Sequence, residues 1–303
     1  MDRFPHMGRK AILFHLGGQP MGNSFRGWYF KCQSPTQTLA LIPAIHTCRG
    51  RRTSSIQIVT EHEHWNIPLP GEGCLVRWDR PQAKLGQNYF SPQGVELHLH
   101  SQHCHVEGQL RFGQPASLPG DIMGPFRFVP FLECRHRVFS MRHPVTGQLC
   151  VNGKAYHFNH DLGYIEGDQG RSFPRRYLWT QCLFPEGSLM LSAADIPLGP
   201  IAFPGVIAAL SIFGKVIILA TYCGARILSV KSGKISVKQN DLLLTAELLS
   251  DQGRPLHAPQ GGEMCRTIRE NVSCRARYRL FQDEQLLWAG ESCQASFEYE
   301  YPC

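Results

Sequence analysis

Residues 149–158 read LCVNGKAYHF, and this decapeptide indicates the fold class more directly than any other stretch. Its two short apolar runs flank Asn152-Gly153, a dipeptide that suits the type I′ turn of a two-residue β-hairpin. Similar short segments, rich in β-branched and aromatic residues, recur along the chain with polar turns between them. No stretch has the apolar periodicity of an amphipathic helix longer than about three turns. The sequence therefore predicts an all-β protein.

The series of predicted strands has its clearest break at Pro185-Glu186-Gly187. Many short strands separated by turns are typical of β-barrels or β-sandwiches. The chain has 303 residues, which is enough for two medium-sized domains. We therefore predict two packed β-domains, one formed by residues 1–185 and the other by residues 186–303.

The composition places limits on function. Apolar residues make up 43% of the chain and charged residues 18%, as in an ordinary globular protein. The net charge is +7, but no run reaches the five or six like charges of a nucleic-acid-binding tail, so we predict no nucleic-acid partner. The 12 cysteines include no CxxC pair, which argues against a zinc site and a disulfide framework. We expect reduced thiols and a cytoplasmic location.

Residues 196–214, IPLGPIAFPGVIAALSIFG, form the one uncharged span that approaches the length of a transmembrane helix. A spanning helix needs roughly 20 apolar residues. Three prolines break the first half of this span, so a helix is disfavoured. We predict a proline-rich loop that leads into a buried β-hairpin.

Histidines are concentrated in residues 95–105, VELHLHSQHCH. On a strand, His98 and His100 share one face, and Glu96 could join them. A zinc site needs three or four converging ligands, and the spacing does not supply a third one. The alternative is a half-exposed strand with polar residues on its solvent side. We predict that no metal is bound.

Residues 124–141, GPFRFVPFLECRHRVFSM, contain a second group of charges. Strand alternation places Glu133, Arg135 and Arg137 on one face, with Cys134 and His136 on the other. This pattern fits an ion-paired strand that faces water. It fits equally well a strand that places Glu133 at the mouth of a cavity.

Residues 163–181, GYIEGDQGRSFPRRYLWTQ, combine two acids, Glu166 and Asp168, with four aromatic residues. A carboxylic acid enclosed by apolar rings retains its proton to higher pH, and can donate it near neutrality. Aromatic faces also attract cations. Such a site could protonate an alkene and shelter the carbocation. The alternative is a buried ion pair of either acid with Arg171 or Arg175, and the residues alone favour this ion pair.

Four segments together resemble the tocopherol cyclase family. They are FRGWYFKCQ at 25–33, VPFLECRHRVFSM at 129–141, GYIEGDQGRSFPRRYLWTQC at 163–182 and LHAPQGGEMCRTIREN at 256–271. The resemblance implies two lipocalin-like β-barrel domains packed together. It also implies the family's chemistry, in which a proton is added to the prenyl double bond of a quinol and the phenolic oxygen captures the cation. Neither a metal nor a redox cofactor takes part in this chemistry.

The candidate site residues are positions that match the family together with two that do not come from it, Asp168 and His136. The catalytic candidates are Glu166, Asp168 and Glu133. The substrate-binding candidates are Trp28, Tyr29, Tyr164, Phe173, Trp179, Gln181 and His136. The chain departs from the family pattern at Arg26, Asp168, Tyr177 and Leu183. We expect Glu166 to be the proton donor because it matches the family, and Arg171 to pair with Asp168.

Two functions compete at this point. One is an enzyme that cyclises, hydrates or isomerises a prenylated quinol or another polyene in a barrel cavity. The other is a non-catalytic, lipocalin-like carrier of a hydrophobic small molecule. Only the enzyme needs a protonated acid that faces the ligand, and we favour the enzyme. Both functions imply a hydrophobic small-molecule partner, and both leave a peripheral membrane contact open.

Overall fold

The computed structural model describes residues 22–130, 132–198, 201–251 and 253–302, and these residues form an all-β structure. The strands are β1 (Ser24–Gln33), β2 (Thr38–Cys48), β3 (Arg51–Thr60), β4 (His64–Pro70), β5 (Leu75–Val76), β6 (Ala83–Leu85), β7 (Asn88–Ser91), β8 (Gly94–His100), β9 (His105–Phe112), β10 (Cys134–Val151), β11 (Lys154–Gly170), β12 (Tyr177–Phe184), β13 (Gly187–Leu198), β14 (Ile201–Ile212), β15 (Lys215–Ala220), β16 (Arg226–Lys231), β17 (Lys234–Gln239), β18 (Leu242–Ser250), β19 (Arg254–Gln260), β20 (Glu263–Gln282) and β21 (Gln285–Tyr299). Helix within these ranges is confined to two short 3-10 turns, Gly124–Phe128 and Thr221–Cys223. The all-β prediction is confirmed.

The predicted Asn152-Gly153 hairpin joins β10 to β11. Val151 pairs with Lys154 across a two-residue loop. Asn152 has a φ of 48° and Gly153 a φ of 82°, the positive values that a type I′ turn requires at both central residues. The local sequence signal therefore specified this turn correctly.

The first sheet is antiparallel, with strand order β4-β3-β2-β1-β11-β10-β9-β8-β7-β6-β5. Its inner face forms one apolar core that includes Ile67 from β4 and Val76 from β5, the two edge strands. Residues from opposite edges can share a core only if the sheet curls. Side chains complete the curl, since Trp28 Nε1 on β1 donates to the Arg77 carbonyl, and Arg52 on β3 donates to the Cys74 carbonyl.

The second sheet has the order β15-β14-β13-β12-β21-β20-β18-β17-β16, and β19 pairs separately with β20. Gln239 on β17 connects its far side to β15, because its amide donates to the Ile218 carbonyl and accepts from the Ala220 N–H. Within the described residues neither hydrogen-bonded ladder closes on itself. Each predicted barrel is therefore a strongly curled open sheet whose edges are joined by side chains.

The chain crosses from the first sheet to the second between Gly170 and Tyr177. The predicted domain boundary, Pro185-Glu186-Gly187, lies at the turn between β12 and β13. β12 pairs with β13 and β21, so its partners assign it to the second sheet. The stretch from residue 163 to residue 181 thus begins on one sheet and ends on the other.

The apolar span 196–214 contains the end of β13 and all of β14, which pair as a hairpin. A hairpin is therefore present, but Pro197 and Pro204 lie inside its strands, so the predicted proline-rich loop ahead of the hairpin is not observed there. None of the helices in the described ranges is long and apolar enough to cross a membrane.

A third apolar cluster joins the two sheets. It brings together Tyr29, Val59 and Tyr164 from the first sheet with Trp179 and Ile268 from the second. These residues lie on the outer faces of the curled sheets, because the inner faces are occupied by separate cores. Polar side chains of the two outer faces therefore meet in the layer between the sheets.

Candidate active site between the two sheets

A cavity of about 180 Å3 lies in this layer, and residues of both sheets line it. The exposed residue Pro197 belongs to the lining, so the cavity opens to solvent there. The predicted location inside a barrel is not observed, since apolar side chains fill the interior of each curl. The aromatic lining residues are Phe25, Trp28, Tyr29, Phe126, Phe173, Tyr177 and Trp179.

The cavity is acidic although the chain is basic overall. Its lining includes five carboxyl groups and, among the described residues, neither lysine nor arginine. The acids are Glu133, Glu166, Asp168, Glu270 and Glu298. Carboxyl groups that share an apolar cavity repel one another when charged, so some of them retain protons or find cationic partners.

Glu166 and Asp168 lie two residues apart on β11, which pairs with β1 without a register shift at this point. Their side chains therefore point to the same face, as predicted. Gly167 lies between them and pairs with Trp28. A Cβ atom on Gly167 would lie 2.6 Å from the Trp28 ring, so only glycine leaves room for this indole.

Glu166 is 4% exposed and receives three polar contacts at one oxygen, Oε2. The Tyr164 hydroxyl donates a hydrogen bond of 2.5 Å, and Trp179 Nε1 donates one of 3.3 Å. His136 Nε2 lies 3.2 Å away as an ion pair, outside good hydrogen-bond geometry. No hydrogen bond from the described residues reaches Oε1, so this second oxygen is available to a ligand.

His136 lies between two carboxyl groups. Its Nδ1 is 3.0 Å from Asp168 Oδ1, while its Nε2 faces Glu166. Burial lowers the pKa of His136, but the negative charges of Glu166 and Asp168 and its close polar contacts with both acids raise it well above the usual value. The ring is therefore an imidazolium at neutral pH and holds a proton between the two acids.

The predicted Arg171–Asp168 ion pair is not present. Two groups contact the Asp168 side chain. One is His136 Nδ1, and the other is the Cys134 thiol, which donates a hydrogen bond of 3.5 Å. Cys134 and His136 share a face of β10, which lies beside β11 in the same sheet. Strand pairing thus supplied the cation from a neighbouring strand rather than from the loop that follows Asp168.

His136, Glu166 and Asp168 also form the set in the described ranges whose ligand atoms lie close enough to hold a cation, within 4.8 Å of one another. However, each carboxylate faces a different nitrogen of the imidazole ring. A metal ion would take one nitrogen and both carboxylates on the same side. The observed arrangement fits a shared proton better than it fits a metal.

The predicted binding residues are only partly brought together. Trp28, Tyr29, Phe173, Trp179 and His136 line the cavity. The Tyr29 and Trp179 rings meet edge to face at 5.4 Å. Tyr164 lies behind Glu166 and acts on it through its hydroxyl.

Gln181 is buried on β12 and does not line the cavity. Both of its amide atoms are without a hydrogen-bond partner in the described part of the chain. Glu133 does line the cavity, at the position where the chain enters β10. Of the two interpretations of its strand, this location agrees with the cavity mouth.

The sequence analysis missed two acids that reach the cavity from the second sheet, Glu270 on β20 and Glu298 on β21. They are paired directly across the two strands. Burial raises the pKa of Glu270 to about 7, and burial together with the charge of Glu270 raises that of Glu298 well above its usual value. Glu270 ends the Ile-x-Glu part of the segment 256–271, which was the available signal; Glu298 sits in an ordinary alternating strand.

The histidine-rich segment lies far from this cavity, on the exposed face of β8 and β9. His98 contacts Glu107 at 2.7 Å and Glu96 at 3.2 Å, and His100 contacts Glu107 at 2.6 Å. All of these side chains are substantially exposed. This cluster is a solvent-facing ion-pair network.

Comparison with solved structures shows which fold this is. A candidate AttH protein of Nitrosomonas europaea superimposes with a TM-score of 0.55 at 11% identity, covering 93% of each chain. Kievitone hydratase of Nectria haematococca gives a TM-score of 0.54 at 10% identity, covering 92% of this chain and 89% of its own. CghA gives 0.55 at 9% identity, covering 93% of this chain and 90% of its own. These likenesses show a shared two-sheet fold along nearly the whole chain.

Comparison with protein-family models found no match. Comparison with curated proteins also found none.

Proposed function

We propose that this chain is a tocopherol cyclase-like enzyme with two lipocalin-like domains. It adds a proton to a double bond of a hydrophobic ligand, such as a prenylated quinol, and thereby cyclises, hydrates or isomerises it. The observation that carries the proposal is Glu166, a buried carboxyl group held by Tyr164 and Trp179 beside the imidazolium of His136. The fold supports it, since one structural neighbour is a hydratase by name.

The reaction begins with the proton held by His136. Transfer from Nε2 to Glu166 crosses 3.2 Å and makes Glu166 a neutral acid. The proton arrives at Oε2, the oxygen that faces His136, and reaches the cavity when the carboxyl group rotates. Asp168 stabilises the imidazolium through Nδ1, so His136 takes up a proton again after each turnover.

The aromatic walls stabilise the next species. Protonation of a trisubstituted alkene gives a tertiary carbocation, and ring faces attract cations by up to about 2 kcal/mol when desolvated. Tyr29 and Trp179 provide such rings next to Glu166. A phenol oxygen or a water then captures the cation and passes its proton to a carboxylate of the cavity, so the site holds as many protons after the reaction as before it.

The experiment is turnover of a prenylated hydroquinone in D2O, followed by mass spectrometry of the product. The enzyme should place one deuterium on the former alkene carbon. Glu166→Gln keeps the shape and loses the acid, so the rate should fall at least about 10²-fold, as is typical when a general acid is removed. Glu96→Gln, an exposed acid on β8, is the matched control and should retain full activity.

The competing function is a non-catalytic carrier. It would be supported if the wild-type protein bound the hydroquinone, released it unchanged and incorporated no deuterium. Equal rates in Glu166→Gln and wild type would remove Glu166 as the proton donor. Asp168 and Glu133, the other acids on the same wall, would then be the next candidates.

A further inference from the structure

Glu270 is a buried acid that the mechanism above leaves without a role. It lies on β20, on the wall that the second sheet contributes, and is 1% exposed. Both of its carboxyl oxygens lack a hydrogen-bond partner in the described part of the chain. Buried polar side-chain atoms are nearly always paired, so two unpaired oxygens on one side chain indicate a site that a ligand completes.

The neighbouring groups do not neutralise Glu270. Lys31 on β1 is buried nearby, but its Nζ donates to the Gln294 carbonyl at 2.7 Å and to Ser296 Oγ at 2.9 Å. The Tyr29 hydroxyl lies close enough to Glu270 to lower its pKa through a hydrogen-bonding contact, but its well-formed hydrogen bond joins Ser296 at 3.1 Å. The remaining groups that influence Glu270 are acids, Glu166 on β11 and Glu298 on β21.

Glu298 differs from Glu270 although the two are paired across the strands. The Tyr177 hydroxyl donates a hydrogen bond to Glu298 Oε2. Glu298 is therefore already occupied by a protein group, and Glu270 is the acid of this wall that is free to accept a hydrogen bond from a ligand.

We propose that Glu270 binds the hydroxyl group of a phenolic ligand and takes up its proton, on the wall opposite Glu166. The proposal rests on the proposed function and narrows it. A hydrocarbon polyene offers nothing to Glu270, whereas a prenylated quinol places its alkene at Glu166 and its hydroxyl at Glu270. What is new is therefore the role of Glu270, which fixes the hydroxyl end of such a ligand.

The step balances without an additional reactant. Glu166 gives a proton to the alkene carbon, the phenol oxygen forms a bond to the tertiary carbon, and its O–H bond breaks towards Glu270. The product is an isomer of the substrate. Afterwards Glu270 carries the proton that Glu166 has lost, and solvent at the open end near Pro197 returns it.

Electrostatic coupling between the walls favours this division of roles. Burial, and to a smaller extent the charge of Glu166, raises the pKa of Glu270 to about 7, while a hydrogen bond from Tyr29 and the charge of Lys31 oppose the shift. A general base works best when its pKa lies near the operating pH. When Glu166 gives its proton to the alkene, it gains a negative charge. This charge makes Glu270 a stronger base at the same moment.

The test compares two probes, a prenylated hydroquinone and its dimethyl ether, by quenching of tryptophan fluorescence. The wild type should bind the hydroquinone about tenfold more tightly or better, the worth of a hydrogen bond to a charged group. The preference should grow between pH about 6 and about 8 as Glu270 ionises. Glu270→Gln should abolish the preference and its pH dependence, while Glu263→Gln, an exposed acid on the same strand, should retain both.

Each result separates the two proposals. If the wild type binds ether and hydroquinone equally, or if Glu270→Gln retains the preference, the role of Glu270 is refuted even when Glu166→Gln abolishes turnover. If the preference disappears in Glu270→Gln but no variant or wild type turns over, Glu270 binds the hydroxyl and the proton-transfer role falls together with the enzyme. A prenylated amine that binds more tightly than the hydroquinone would overturn the choice of a hydroxyl group.

Discussion

Glu166 and Glu270 are buried to a similar depth in one cavity, yet the two sheets surround them differently. Glu166 receives two hydrogen bonds and an imidazolium contact at a single oxygen. Glu270 has no well-formed hydrogen bond from the described residues, only a weaker contact with the Tyr29 hydroxyl, and burial raises its pKa to about 7. The contrast shows that the supply of donors, rather than depth alone, decides how a buried carboxyl group behaves. Environments that differ in this way are how enzymes assign acid and base roles to chemically identical side chains.

The largest expected effect on stability comes from removing His136, the cation beside Glu166. His136→Leu would leave Glu166 and Asp168 buried together without the imidazolium between them. Breaking a buried ion pair on one side costs about 3 to 5 kcal/mol, so the free energy of unfolding in urea should fall by about 4 kcal/mol near neutral pH.

The pH dependence of this loss follows from the raised pKa of His136. Its stabilisation is complete below the usual histidine pKa of about 6.5 and disappears as pH rises through the higher folded-state pKa. The deficit of His136→Leu should therefore shrink in alkaline solution. His98→Leu removes an exposed histidine that also lies between two acids, and should leave the free energy of unfolding nearly unchanged because solvent screens the pair. Equal losses in the two variants would contradict the role of His136.

Replacement of Glu270, on the wall formed by the second sheet, should stabilise the protein instead of destabilising it. The folded state holds the Glu270 proton more tightly than the unfolded chain, since the pKa rises from 4.5 to about 7. Wild-type stability should therefore decrease as pH rises through this range. At higher pH the buried charge lowers the free energy of unfolding by about 3 kcal/mol. Glu270→Gln cannot ionise and should therefore be more stable than the wild type by that amount. At pH about 4, where both states carry the proton, the variant and the wild type should be equally stable.

Thermal unfolding followed by circular dichroism at both pH values measures this difference. Glu263→Gln, on the same strand but exposed, should change neither curve. A Glu270→Gln variant that is less stable than the wild type at high pH would mean that Glu270 has a favourable partner, and the contrast between the walls would disappear.

The smallest effect concerns the donors to Glu166. Tyr164→Phe removes the 2.5 Å hydrogen bond and leaves the ring in place. A hydrogen bond to a charged group is worth about 1.5 to 3 kcal/mol, so kcat/KM should fall about tenfold or more. Tyr156→Phe, in the core of the first sheet, is the control and should leave kcat/KM unchanged. An unchanged rate in Tyr164→Phe would show that this short contact does not assist the acid.

The elements that sequence analysis predicted correctly depend on residues close together in the chain. The Asn152-Gly153 turn needs only its own positive φ values. The shared face of Glu166 and Asp168 needs only an extended strand, because side chains alternate with period two. The prolines of the apolar span 196–214 were enough to reject a helix, and the span pairs as strands β13 and β14.

The errors have a common cause in long-range pairing. Pro185 is a good turn signal, but a turn between neighbouring strands looks the same in sequence as a boundary between sheets. Arg171 is close to Asp168 in the chain, yet Asp168 meets His136 because β10 pairs beside β11. Glu270 was overlooked because more than 100 residues separate it from Glu166, and nothing local shows that the two share a cavity.

The sequence by itself determined that the chain forms strands and hairpins, and that acids and aromatic rings occur together between residues 163 and 181. These features follow from local backbone preferences and side-chain alternation. Only the tertiary structure decided that this segment passes from one sheet to the other, so that Glu166 faces Trp179 across the layer between them. It also decided that the cavity lies between two filled curls and that Glu270 closes it from the far side. The physical reason is that each sheet curls to bury its inner face, and the outer faces that remain must pack against each other.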